Sequence, residues 1–266
     1  MRLTSIIVSC LLCGASAQAA LLTYDFVGLN RAVPDNDAAG VTDVRTPAAT
    51  GTPEGDLVIT DVNVHVTLSG WSAINGDLYV YVQHGAAVAV LLNRVGRRAG
   101  DDCGYGDPGF DVTFDDEAVN GDIHGYRATL FGNHDTPLGG PLTDLLCGSW
   151  APDARRDDPS AVTLENIAFR DAELSNFDGE RLGGTWSLFV ADMDTGGQVT
   201  LDEWSLTFAA IPEPIAWPIS IGVAFAALVV DRVTRRSRLP RSSDRHSPRA
   251  QEATIRRLKQ ASKRCG

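Results

Sequence analysis

The segment Leu57-Val58-Ile59-Thr60-Asp61-Val62-Asn63-Val64-His65-Val66-Thr67-Leu68 alternates apolar and polar side chains over most of its length. Successive side chains of an extended chain point to opposite faces, so this pattern buries one face of a strand and wets the other. On a helix it would scatter apolar groups around the axis. Such a strand must find a sheet. Leu78-Tyr79-Val80-Tyr81-Val82 and Ala87-Val88-Ala89-Val90-Leu91-Leu92 follow across the turn-prone Gln83-His84-Gly85-Ala86. Phe110-Asp111-Val112-Thr113-Phe114 reads as another strand. Residues 185–191 and 199–208 read as a closing hairpin in which Trp186, Leu188 and Val190 alternate with Ser187 and Phe189. Short strands between Gly, Asp and Pro turns predict an all-β, antiparallel jelly-roll sandwich.

The charge is unevenly spread. The 266 residues carry 34 acidic and 23 basic side chains, a formal net charge of −11. Residues 231–266 hold 12 Lys/Arg against 3 Asp/Glu, which leaves 11 basic and 31 acidic groups before them. An acidic body of this kind repels polyphosphate, which excludes nucleic acid as a partner of the folded part and favours divalent cations.

Both termini read as addresses. Arg2, an apolar stretch over 6–13 and the small residues Ala15-Ser16-Ala17-Gln18-Ala19 make a secretory signal peptide over 1–19. Ile7-Val8-Ser9-Cys10 loosely matches a lipoprotein box, with an apolar core too short for export. At the other end Pro212-Glu213-Pro214 leads into a nearly uncharged run, about 215–231, and then Arg235, Arg236 and Arg238. That run has the length and flanking charge of one C-terminal transmembrane helix with its arginines in the cytoplasm; a buried core helix is the alternative. Residues 210–238 resemble the PEP-CTERM sorting signal of Gram-negative bacteria. The resemblance implies an inner-membrane-anchored precursor, an exosortase-like enzyme cutting near Pro212-Glu213-Pro214, and release to the cell surface or into exopolysaccharide. Such proteins usually stop soon after the arginines. Here a basic tail, 239–266, continues and reads as disordered.

Cys103 and Cys147 are the two cysteines of the exported body, since Cys10 and Cys13 leave with the signal peptide and Cys265 lies in the tail. In an oxidising compartment they are expected to pair and staple two long polar loops, 93–108 and 132–159, for about 3–4 kcal/mol. Two buried, unbridged thiols are the alternative. Asp192-Met193-Asp194-Thr195-Gly196-Gly197-Gln198-Val199-Thr200-Leu201-Asp202-Glu203 matches an EF-hand loop at positions 1, 3, 6 and 12, but Gly196 stands at position 5 and strands flank it. It reads as a hairpin turn, with Asp192 and Asp194 open to Ca²⁺ in another geometry. Further acids cluster at Asp101, Asp102 and Asp107, and at Asp115, Asp116 and Glu117.

The body, 20–209, resembles the P domain, also called Homo B domain, of kexin-like and furin-like proprotein convertases. The matching pieces are Val33-Pro34-Asp35, the strand over 59–68, Asn75-Gly76-Asp77-Leu78-Tyr79-Val80-Tyr81-Val82, Ala89-Val90-Leu91-Leu92 and Phe177-Asp178-Gly179. The best matches are Gly184-Thr185-Trp186-Ser187-Leu188-Phe189-Val190-Ala191-Asp192 and Gly196-Gly197 through Trp204-Ser205-Leu206. The resemblance implies an eight-stranded jelly roll that supports a neighbouring subtilisin-like protease, often with bound calcium. One structural Ca²⁺ on Asp192, Asp194, Asp101, Asp102 and Asp107 is therefore expected, against the alternative of a solvated acidic surface. No protease domain precedes the body in this sequence, and none of His65, His84, His124 and His134 has the context of a Gly-x-Ser-x-Gly elbow or His-Glu-x-x-His motif. The expectation is an exported, non-catalytic module that binds or builds matrix; an accessory subunit acting in trans on a subtilisin-like serine endopeptidase is the second reading.

Overall fold

A computed structural model describes residues 18–70, 72–139, 145–160 and 169–213. The predicted signal peptide before residue 18, Pro214, the apolar run and Arg235, Arg236 and Arg238 lie outside the described residues. Among the described residues no helix is long and apolar enough to cross a membrane.

Among the described residues ten strands form two sheets. They are β1 (Ala20–Phe26), β2 (Arg31–Val33), β3 (Asp37–Arg45), β4 (Val58–Ser69), β5 (Leu78–His84), β6 (Ala87–Asn93), β7 (Phe110–Phe114), β8 (Leu146–Trp150), β9 (Trp186–Asp192) and β10 (Val199–Ile211). One sheet runs β1-β10-β4-β7-β8, with β2 also on β10; the other runs β3-β9-β5-β6. A single short helix, α1 (Tyr126–Phe131), joins them among the described residues. The two-sheet, sandwich-like all-β architecture is as expected.

Two expectations need correction. Residues 185–211 are not a hairpin: β9 pairs with β3 and β5, whereas β10 pairs with β1, β2 and β4. Each strand has a row of buried side chains, Trp186, Leu188 and Val190 on β9 and Leu206, Phe208 and Ala210 on β10. Facing these rows across the core serves both, and the intervening turn crosses from sheet to sheet. The sandwich is also not wholly antiparallel, because β7 and β8 pair in parallel from Phe110↔Leu146 to Phe114↔Trp150. A long connection through α1 carries the chain back to make that possible. The β5–β6 hairpin is as predicted, with Gly85 at φ 57° in its turn.

The strand parity explains where the alternation slips. Ile59 and Val62 are both buried on β4, three residues apart, because a bulge shifts the register between Ala209↔Asp61 and Ala210↔Ile59. Asp202 plays the same part on β10, between buried Leu201 and Trp204, and its carboxylate accepts from Ser69 Oγ at 2.5 Å.

Three tryptophans fill the core, each with its N–H satisfied. Trp186 donates to Leu182 O (3.1 Å), Trp204 to Asp43 Oδ2 (2.8 Å) and Trp150 to Cys147 O (3.1 Å). Trp186 packs edge-on against Phe208, with ring centroids 5.0 Å apart, and tilted against Phe177 at 4.9 Å. Burying one such ring stabilises by about 3 kcal/mol from area alone.

Candidate functional site

Four turns meet where β2, β9 and β10 approach the start of β5. Asp35 comes from the β2–β3 turn, Asp77 from a 3-10 turn (Asn75–Asp77) before β5, Arg94 from the residue after β6, and Asp192 and Asp194 from the crossing between sheets. Arg94 is 5% exposed and its backbone is left-handed, with φ 49°. Its amide donates to Leu78 O (2.8 Å), its Nε to Gly76 O (3.0 Å), and its Nη2 to Asp77 Oδ1 (3.2 Å) and Asp194 Oδ2 (3.0 Å). Asp77 O accepts from Met193 N at 2.8 Å, and Asp35 Oδ1 accepts from Gly196 N at 3.0 Å. The turns are thereby bound to one another as well as to the guanidinium.

Asp192 is fully buried. Its Oδ1 accepts a long bond from Asp194 N (3.4 Å), and Oδ2 has no hydrogen-bond partner among the described residues. Burial, with Asp77 and Asp35 nearby, pushes its carboxyl up to about 7. Burial likewise lifts Asp77 to about 6 against the pull of Arg94. Asp194 is held below the usual carboxylate range by the Thr195 amide and by Arg94.

The other predicted ligands lie elsewhere and are engaged. Asp101 pairs with Arg98 (2.8 Å) and accepts from Gly104 N. Asp107 takes Tyr126 Oη (2.5 Å), Arg127 Nε (2.6 Å) and Leu138 N (2.9 Å). Asp102 is exposed in the same loop. Asp116 caps the amides of Leu174 and Ser175. The five aspartates therefore do not assemble into one centre. Among the described residues no group of three or more His, Cys, Asp or Glu side chains is arranged to hold a metal ion.

No disulfide joins Cys103 to Cys147 in this structure, and both are exposed. Cys103 belongs to the loop that folds onto the Asn75–Asp77 turn, where Gly76 N donates to Tyr105 O (2.8 Å). Cys147 is fixed on the edge strand β8 in register with Asp111, its Sγ 3.4 Å from Leu145 O. Other contacts join the two loops: Arg98 lies 3.7 Å from Asp135, and Asp107 Oδ1 accepts from Leu138 N at 2.9 Å.

Sequence reading missed a second buried network. His124 Nδ1 lies 2.7 Å from Asp153 Oδ2 and its Nε2 lies 2.9 Å from Arg97 O. Asp153 is fully buried and also accepts from Arg155 Nη1 (2.9 Å), while Arg155 grips Asp122 at 2.6 Å. Burial opposes charge on His124, yet Asp153 lifts it above its ordinary value. Burial likewise opposes charge on Asp153, which His124 and Arg155 hold below the usual range. A His–Asp pair is half of a nucleophile-activating triad, but here the far nitrogen meets a backbone carbonyl where a nucleophile's hydroxyl would have to stand. The spacing of His124 and Asp153, 29 residues apart, left no signal in the sequence.

The other three histidines among the described residues are held in the fold by their own contacts. His65 on β4 lies 3.3 Å from the hydroxyls of Thr113 and Thr67 and 3.4 Å from Asp111. His84 ends β5, its nitrogens meeting the carbonyls of Thr185 (3.0 Å) and Arg181 (2.8 Å) and its ring stacked on Trp186 at 4.3 Å. His134 Nδ1 contacts Tyr105 Oη. Beside His84 a recess of about 540 Å³ is bounded by Val58, Arg181, Thr185 and Glu213. Arg181 reaches Asp56 (2.9 Å) with one nitrogen and Glu213 (2.5 Å) with the other.

Residues 152–208 match the family model of the proprotein convertase P-domain. No curated protein matches the chain. Among solved structures, the chain is similar to the serine protease of Aeromonas sobria, with 16% identity and a TM-score of 0.36. It is similar also to the complex of that protease with the chaperone, with 16% identity and a TM-score of 0.37. Each alignment covers 73% of this chain and 27% of the solved chain, so this chain spans about a quarter of the length of those it resembles.

Proposed function

We propose that the chain is an exported, non-catalytic module of P-domain type, carried by its C-terminal signal to the cell envelope or exopolysaccharide, where it binds a partner or forms matrix. The match of residues 152–208 to the P-domain model carries this reading, since that stretch spans β9 and most of β10, the strands at the centre of both sheets. The P domain is an accessory domain without catalytic residues of its own. The junction with the sorting motif suits processing: β10 ends at Ile211, and Glu213 is held against the rim of the sandwich by Arg181.

Intact mass and cell fraction of the protein from its own producer test the reading. An extracellular species ending near Pro212-Glu213-Pro214 is expected. A membrane-bound species that keeps Arg235 to Gly266 would overturn the sorting half of the proposal. Recovery of a subtilisin-like peptidase rather than polysaccharide in a pull-down would replace the matrix role with that of a protease accessory.

A further inference from the structure

We propose that Arg94 is a built-in cation that takes the place a divalent metal ion would otherwise hold at the acidic end of the sandwich, so that this end closes without calcium. The inference goes beyond the proposed function and does not depend on where the protein is sorted.

Four carboxylates converge there, on Asp35, Asp77, Asp192 and Asp194, and Asp37 stands in register with Asp192 on the neighbouring strand. Concentrated negative charge of this kind on closely apposed turns holds them apart unless a cation sits among them. A calcium ion would need six to eight oxygens at about 2.3–2.6 Å. The described residues offer no such cage. What they offer is a guanidinium. Among the described residues Arg94 is the one whose side chain touches both Asp77 and Asp194, and it adds the carbonyl of Gly76, so three oxygens from two turns point at one planar cation. Nearby Arg97 adds a second positive charge toward Asp194.

The local backbone is shaped around that side chain. A left-handed conformation is uncommon for a residue with a Cβ, and Arg94 adopts it directly at the end of β6, which turns its side chain back over Gly76. Gly76 lies so close to the next loop that a Cβ there would sit 2.3 Å from Cys103 O. Asp192 Oδ2 is the single buried oxygen of the cluster left without a partner, and one oxygen does not make a calcium site. A cation tethered by the chain is present at every metal concentration, and chelators cannot remove it.

The test compares thermal melting of the purified protein in EDTA and in CaCl₂, for the wild type, Arg94→Gln and Arg94→Lys. The wild type is expected to melt within about 1 °C in the two buffers. Arg94→Gln, with its carboxylates uncompensated, is expected to melt lower in EDTA and to recover about 5 °C or more once Ca²⁺ exceeds its Kd a hundredfold. Arg94→Lys keeps a charge and is expected to stay indifferent to Ca²⁺. If Arg94→Gln is unfolded in EDTA, recovery of the cooperative transition on adding CaCl₂ supports the proposal equally. A wild type that loses several degrees in EDTA and regains them with CaCl₂ overturns it. So does an Arg94→Gln protein whose defect is the same in both buffers.

Discussion

Replacing Asp153 by Asn removes the charge at the centre of the His124–Asp153–Arg155 network while keeping the shape of the side chain. Asp153 is fully buried and accepts from His124, Arg155 and the amide of Asn93. The substitution leaves Arg155 and His124 facing a neutral amide in a dry environment. Removing one partner of a buried ion pair costs about 3–5 kcal/mol. For a body of this size each kcal/mol moves the melting temperature by about 2–4 °C, so a fall of about 10 °C is expected at pH 5.5. The pH dependence separates this account from loss of packing. His124 is raised in the folded state, so its contribution is complete below its ordinary value of 6.5 and disappears as pH rises through the folded value. Asp153 is lowered, so its contribution is complete above its ordinary 3.8 and disappears as pH falls through the folded value. The gap between wild type and Asp153→Asn, followed by circular dichroism or calorimetry, should be widest between about pH 4 and 6.5 and shrink in alkali. A variant melting within about 2 °C of wild type at pH 5.5, or a gap that widens toward pH 9, would refute the reasoning.

Further substitutions probe the same frame. Gly197 has φ 77°, and a Cβ there would lie 1.9 Å from Ser72 O, so Gly197→Ala should lower the melting temperature by well over 5 °C. Gly28→Ala, at φ 68° with nothing within 4 Å, should cost only about 1 kcal/mol. Asn75 is fully buried and ties Gly109 N (2.6 Å), Gly109 O (3.2 Å) and Tyr126 Oη (3.2 Å) together, so Asn75→Ala should destabilise by about 3 kcal/mol in urea titration. Arg181→Ala breaks only exposed pairs and should shift stability by less than about 1 kcal/mol, leaving the chain's exit as the place where its effect is read.

Strand identity was legible in the sequence because alternation is local. The run over 57–68 becomes β4 and 110–114 becomes β7. Partnership was not, because alternation says which face is buried and nothing about which strand lies alongside. That is why 185–208 reads as a hairpin and folds as a crossing. The edge strands β1, β3 and β8 escaped notice because much of their surface stays wet and their patterns are weak, as in Asp37-Ala38-Ala39-Gly40. At the site, Asp192 and Asp194 stood out from spacing. Asp35, Asp77 and Arg94 join them only through the folded topology. Asp107 reads as equivalent to them because its partner Arg127 stands 20 residues away and leaves no local trace, whereas the partner of Asp101, Arg98, stands only three residues before it.

The first strand of the sandwich lies along the last, with Ala20 opposite Ala210. The start of β1 and the end of β10 therefore share one pole of the sandwich, and about 40 Å of extended chain along β10 separates it from the acidic turns. An attachment at either end of the sandwich itself, Ala20 or Ile211, therefore leaves the Asp35–Asp194 turns uncovered at the opposite end of β10.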